Sequence, residues 1–370
     1  MRAKTLPALL AVLGLLTGCA SNPNNFVYVM GKGTNQVFAF TEHSKGDLTP
    51  LATPTFGTGS GPVAMAIHPS RSLVYIANFS DNNLMLLDRS HSSGDLTVPA
   101  NPNPVINNLA PNLFPVGTGP VSVVISGDGR FLYALNQGSH NISGFNLNST
   151  NGVLTEMKST TPAANQSPFP TPVSPSAMAI SPSGSLLYVA NPTLGTISGF
   201  LIGADGFLTA QTPVAAGTTP TWITIDPSGK FLYVADAGTN KVLGFTIQSG
   251  GALTAISGSP FTAGNKPVAM ATDAHGAFLY VANQNSNDIS AYVIDSNSGA
   301  LGAIANSPFA AGSGPAFIGV DQATSFLYVC LQGTNDIAAF SIQGNGSLTP
   351  VAGSPFSVAT TPQWIVTSKD

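Results

Sequence analysis

Apolar and polar positions follow one pattern seven times along this chain. Each copy starts after a proline: Pro62, Pro120, Pro175, Pro220, Pro267, Pro315 and Pro362. The third and fifth residues beyond it are mostly apolar, as in Met65 and Ile67, Val123 and Ile125, or Ile223 and Ile225. A period of two predicts a strand with one packed face. A turn follows, such as His68-Pro69-Ser70 or Asp226-Pro227-Ser228-Gly229. Next comes a short apolar strand holding a tyrosine: Tyr28, Tyr75, Tyr133, Tyr188, Tyr233, Tyr280 or Tyr328. After a polar loop a third strand is predicted, for example over residues 197–200 or 242–245. Gly-x-Leu-Thr then opens a fourth at Leu48, Leu96, Leu154, Leu208, Leu253 and Leu348, with Leu301-Gly302 as the deviant copy.

The tyrosines recur every 45 to 58 residues or so, a period that belongs to repeats of four-stranded blades. The first copy lacks its Pro-led strand, and the last consists of that strand alone. Residues 363–366 are therefore expected to pair beside residues 26–29, which closes a ring and removes its free sheet edges. The expected fold is all-β, a seven-bladed β-propeller of four-stranded antiparallel blades, with the C-terminal strand completing the N-terminal blade. One domain, residues 26–370, accounts for the repeats.

The repeated Pro-Ser-Gly-x-Phe-Leu-Tyr-Val-Ala-Asn, followed by Ile-x-x-Phe and Gly-x-Leu-Thr, resembles the lactonase family of seven-bladed propellers. That family includes propeller-type 6-phosphogluconolactonases and carboxymuconate cycloisomerases. The pattern is also similar to the YVTN-type repeats of bacterial surface proteins. The resemblance extends over residues 25–368 and rests on scaffold positions. It implies the fold, and it implies lactone hydrolysis only as far as a site can be found, because one fold hosts many functions.

The first residues read as a targeting signal. Arg2 and Lys4 precede an apolar run over residues 6–16, a length suited to a signal peptide and too short to span a bilayer. The run ends in Leu16-Thr17-Gly18-Cys19, which resembles a bacterial lipobox. The resemblance implies cleavage after residue 18, a diacylglycerol on Cys19 and a short tether to residue 25. The expected location is extracytoplasmic, lipid-anchored to the bacterial membrane. Ala20 and Ser21 resemble an outer-membrane address where the host has two membranes. The remaining cysteine, Cys330, sits in a Tyr strand without a partner and reads as a small buried hydrophobe.

Only 8% of residues are charged, against roughly 25% in average proteins. The net charge of −4 and the scattered bases leave no footprint for nucleic acid. Holding an anionic substrate needs Arg or Lys, and opening a lactone needs a base. The two glutamates, Glu42 and Glu156, fall at peripheral strand ends. Arg71 and Arg130 fall in turns after Pro-led strands, and Arg89 in an outer hairpin. None is placed on the face formed by the loops before the Pro-led strands and after the Tyr strands.

That face is polar and mostly uncharged. The Tyr strands end in Asn78, Asn136, Asn191, Asp236 and Asn283, with Asp81, His140, Lys241, Asp288 and Asp336 beyond. These residues read either as a hydrogen-bonding ring around the channel mouth or as turn formers, the usual role of Asn and Asp. His140 and Asp236 are weak candidates for a catalytic base. Asp81, Asp236, Asp288 and Asp336 could converge on Ca²⁺ from separate blades, though their spacing does not demand it. No zinc-type cluster and no cofactor motif is seen.

One asymmetry stands out. The second residue after the proline is small in four copies (Ala64, Ser122, Ala177, Ala269) and aromatic in three: Trp222, Phe317 and Trp364. These three belong to blades five, seven and one, on one side of the ring. They could form a crescent near the channel mouth that stacks on a sugar or flat ligand, or they could fill space between blades. Two functions remain open. One is a monomeric envelope module binding a protein or carbohydrate, touching the membrane only through its lipid. The other is a hydrolase of a neutral lactone or sugar derivative.

Overall fold

The computed structural model describes residues 25–31, 33–99, 112–158, 166–321, 323 and 325–368. Cys19 and the expected signal segment and tether, apart from Asn25, lie outside these residues. Seven antiparallel sheets stand around a common axis, and the described residues contain no helix. In each sheet the Pro-led strand is innermost, the Tyr strand second and the Ile-x-x-Phe strand third. The outermost strand of six blades is broken into two short pieces that pair with different ends of the third. Blade one instead keeps a continuous outer strand, Leu48–Gly57.

Blade one draws on both ends of the chain. Asn25–Gly31 pairs with Gln36–Glu42 on one side and with Pro362–Ser368 on the other. The register sets Tyr28 opposite Val366 and Val29 opposite Ile365. Blades two to seven follow in chain order.

The Tyr strands are buried on both faces; in Phe231–Asp236 every residue is buried. This explains why they read as continuous apolar runs, whereas the Pro-led strands alternate. Turns between these two strands are closed by the first turn residue. Asp226 accepts from the Ser228 N–H at 3.0 Å and the Phe231 N–H at 2.7 Å, and Ser126 and Asp273 hold Phe131 and Phe278 in the same way.

The tyrosines tie the blades to one another. Each phenol crosses to the next blade and donates to the backbone carbonyl of a glycine at the head of its Gly-x-Leu-Thr signal. The pairs are Tyr28–Gly94 (2.7 Å), Tyr75–Gly152 (2.6 Å), Tyr133–Gly206 (2.6 Å), Tyr188–Gly251 (2.7 Å), Tyr233–Gly299 (2.8 Å) and Tyr280–Gly346 (2.9 Å). Tyr328 returns to Gly46 in blade one at 3.3 Å. All seven glycines have positive φ, and at five of them a Cβ would run into a phenylalanine ring; on Gly299 it would meet Phe231 at 2.4 Å. Only glycine satisfies both constraints without strain.

Glu42 departs from its expected peripheral place. It is buried, and its carboxylate lies against the Tyr328 hydroxyl at the junction of blades seven and one. Cys330 is wholly buried, and burial pushes its thiol pKa well up.

Two outcomes are expected. Truncation before Thr361 removes the innermost strand of blade one and should abolish the cooperative thermal transition; an unaltered melting curve would contradict ring closure by that strand. Burial raises the phenol pKa of Tyr75, Tyr133, Tyr188, Tyr233, Tyr280 and Tyr328 above the ordinary value near 10, with Tyr188 at about 12. The fold keeps these phenols neutral while the unfolded chain loses its protons near pH 10. Their contribution is thus intact below about pH 10 and declines as pH rises beyond it. The melting temperature, followed from pH 8 to 12, should be flat and then fall steeply.

Candidate functional site

The innermost strands enclose a central chamber of about 450 Å³. Its walls include Met65, Ile180, Ile223, Met270, Ile318 and Ile365, and none of its lining residues is charged. The lining runs along the Pro-led strands as far as Ile225, Thr272, Val320 and Thr367, next to the turns that follow those strands.

Trp222, Phe317 and Trp364 gather at the other end of the chamber. Ring centroids are 5.3 Å apart for Trp222–Phe317, 5.5 Å for Trp222–Trp364 and 4.3 Å for Phe317–Trp364. The first pair meets edge to face, a favoured aromatic geometry. The contact spans blade six, where Ala269 leaves room. The Trp222 indole N–H donates to the Met270 carbonyl at 3.0 Å, which fixes its ring. Phe317 is buried, while both tryptophans are half-buried. The cluster therefore packs blades together and also forms part of the chamber wall.

The asparagines do not face this cluster. Asn78, Asn136, Asn191 and Asn283 are fully buried within their own blades. Each Nδ2 donates to the third strand: Asn78 to Asn83, Asn136 to Asn141 and Ser143, Asn191 to Ser198, and Asn283 to Asp288 and Ser290. Their Oδ1 atoms have no hydrogen-bond partner within the protein. Of the two readings of these amides, their burial agrees with the turn-forming one: each of these Tyr strands buries its own last residue beneath the loop.

Asp236 takes the same position in blade five. Its carboxylate accepts the N–H groups of Thr218 (3.0 Å), Thr219 (2.7 Å) and Gly238 (3.2 Å), and the Thr239 hydroxyl. Burial pushes its pKa up, but the Thr239 hydroxyl and these backbone donors outweigh it, and the carboxyl stays below the usual range. A carboxylate so stabilised is a weak proton acceptor. His140 has a left-handed backbone, φ 55°, and its Nδ1 accepts the Ser174 N–H at 3.1 Å. That bond leaves the proton of the neutral ring on Nε2. Neither residue is part of the chamber lining.

The remaining aspartates serve their own turns or neighbouring strands. Asp81 accepts from the Ser60 N–H, Asp288 from Asn283, and Asp336 from the Ser357 hydroxyl. Among the described residues no group of three His, Cys, Asp or Glu side chains is placed to hold a metal. Glu156 reaches Lys158 at the outer strand of blade three.

Basic side chains gather where no site was expected. His68, Arg71, Arg89 and His91 border a pocket of about 380 Å³ beside blade two, on the turn-bearing face. Arg89 stands in the outer hairpin of blade two, as expected, and its side chain is buried there. His68 is committed to its turn: Nδ1 accepts from the Ser70 N–H, and Nε2 lies 3.2 Å from the Gly129 carbonyl.

Seven four-stranded antiparallel blades in a closed ring define a seven-bladed β-propeller. The profile of the family described as "Lactonase, 7-bladed beta-propeller" matches residues 19–223, 100–256 and 207–314, and the chain belongs to that family. A 6-phosphogluconolactonase of Bacillus subtilis is 24% identical over 131 residues, 35% of this chain and 36% of the relative; the match thus spans about a third of that protein. Among solved structures, a putative 6-phosphogluconolactonase of Bacteroides uniformis superposes with TM-score 0.76 at 18% identity, covering 94% of this chain and 100% of that one. The periplasmic gluconolactonase of Pseudomonas aeruginosa gives TM-score 0.73 at 16% identity, covering 94% and 99%. At such identities the solved structures speak for the fold.

Replacing Trp364 by alanine should separate the two roles of the aromatic cluster. Trp364 packs against core residues of three clusters, from blades on both sides of it. Trp364→Ala is expected to cost about 3 kcal/mol by denaturant unfolding. A loss under about 0.5 kcal/mol would show that the ring does not bear on blade packing.

Proposed function

We propose that this lactonase-family chain is a binding propeller of the bacterial envelope, and that its central chamber receives a neutral ligand presenting an apolar or ring-shaped face. The observation that carries this reading is the Trp222–Phe317–Trp364 cluster set in a chamber lined by no charged residue. Aromatic walls with few polar groups favour stacking and apolar burial over capture of an anion. A carbohydrate face or an apolar segment of an envelope protein fits this chemistry. Lipidation at Cys19 would hold the domain at the membrane surface, as a monomer needing no cofactor.

A second reading is hydrolysis of a neutral lactone. Family membership and the likeness to the Pseudomonas aeruginosa periplasmic gluconolactonase favour it. It needs a group to activate water. The weak basicity of Asp236 and the engaged Nδ1 of His140 count against those two candidates.

Acid release measured by pH-stat from gluconolactone, 6-phosphogluconolactone and simple neutral lactones, corrected for spontaneous opening, separates the readings. The binding reading expects no rate above background. Saturable turnover of a neutral lactone, abolished by His140→Ala or Asp236→Asn, would replace it with the hydrolase.

A further inference from the structure

Six of the seven blades place a phenylalanine at one register position, where the second half of the outer strand meets the start of the third strand. The pairs are Val37–Phe56, Leu84–Phe114, Ile142–Phe169, Val242–Phe261, Ile289–Phe309 and Ile337–Phe356. Blade four has Val214 opposite Ile197 instead. Its outer connection is also shorter: the chain from Leu208 to Val214 lacks the Ser-Pro-Phe found between Leu253 and Phe261. The apolar residue three places after the outer-strand leucine is replaced as well. Met157, Ile256, Ile304 and Val351 fill that place in other blades, and Gln211 stands there in blade four.

This double replacement leaves a hollow. A cleft of about 350 Å³ lies between blades four and five, lined by Tyr188, Ile197, Val214, Ala252 and Leu253, with Gln211 among them and no charged residue. The floor shows what has been lost. In blades three and five a Cβ built on Gly144 or Gly244 would touch the ring of Phe169 or Phe261; on Gly199 the nearest atoms it would meet belong to the Gln211 amide and Tyr188. Gln211 Nε2 donates to the Gly250 carbonyl, which leaves Oε1 to accept from a guest.

We infer that this cleft is a binding site for a neutral small molecule carrying one aromatic ring and a hydroxyl donor, seated where the other six blades insert their own phenylalanine. The repeats specify the guest: a phenyl ring already fits the same frame six times. Apolar cavities of only about 150 Å³ take up benzene, so the volume suffices for a substituted ring. The absence of charge among the lining residues selects a neutral molecule, and Oε1 of Gln211 selects a hydroxyl.

The test titrates phenol into the full chain, followed by methyl NMR of Ile197, Val214 and Leu253 and by tryptophan fluorescence. Millimolar phenol should shift those three methyls and leave the emission of Trp222 and Trp364 unchanged, which separates this site from the central chamber whatever the fate of the binding reading above. Val214→Phe should abolish the shifts. Gln211→Leu, which adds no ring, should cut the preference for phenol over benzene about fivefold. No methyl shift at tens of millimolar, shifts confined to Ile318 and Ile365 in the chamber, or undiminished binding by a folded Val214→Phe chain would each overturn the assignment. Should Val214→Phe fail to fold, the wild-type methyl map and the Gln211→Leu preference decide the matter.

Discussion

Each blade is held to the next by a buried phenol that donates across the boundary to a glycine carbonyl. A buried tyrosine hydroxyl must find a partner, because leaving it unpaired costs on the order of 1–3 kcal/mol. Here the partner lies across the blade boundary, on a glycine whose positive φ turns its carbonyl toward the incoming hydroxyl. The same glycine lies too close to a neighbouring side chain, often an aromatic ring, to carry a Cβ. Burial, hydrogen bonding and ring contact thus converge on one pair of residues per boundary. The chain has few charges, and its Cys330 is free, so these contacts and the apolar cores between blades hold the ring together.

The architecture was legible because it rests on local patterns repeated often. Seven tyrosines in apolar runs and seven prolines before alternating strands are visible without knowing what they touch. The tyrosine's partner was not visible. The glycine of Gly-x-Leu-Thr reads as a turn residue, and its acceptor role appears only when the next blade is set beside it. Glu42 was misplaced for the same reason: a strand-end carboxylate looks peripheral until the Tyr328 hydroxyl arrives from the far end of the chain.

The candidate site was legible only in part. The aromatic residues at the second position after the proline do share one side of the ring, as their blade order requires. Their neighbours follow from the tilt and depth of the strands, which a linear pattern does not contain. Hence the asparagines, expected beside them, are buried at the loop ends of the Tyr strands instead. The chamber lining also reaches the turns on the face opposite the one where chemistry was sought. Charge was the more reliable guide, since a sequence with so few acids and bases has little with which to line a central chamber.

The latch also has a direction. Every repeat donates from its tyrosine to the repeat ahead and receives at its glycine from the repeat behind. A whole repeat duplicated or deleted in the gene would bring one donor and one acceptor in or out together, leaving no orphan at the seam. As far as the latch is concerned, every blade boundary is therefore equivalent, including the one that joins the two ends of the chain. A single unit, as blade four shows, can exchange its phenylalanine for a valine while its six siblings keep the shared contact.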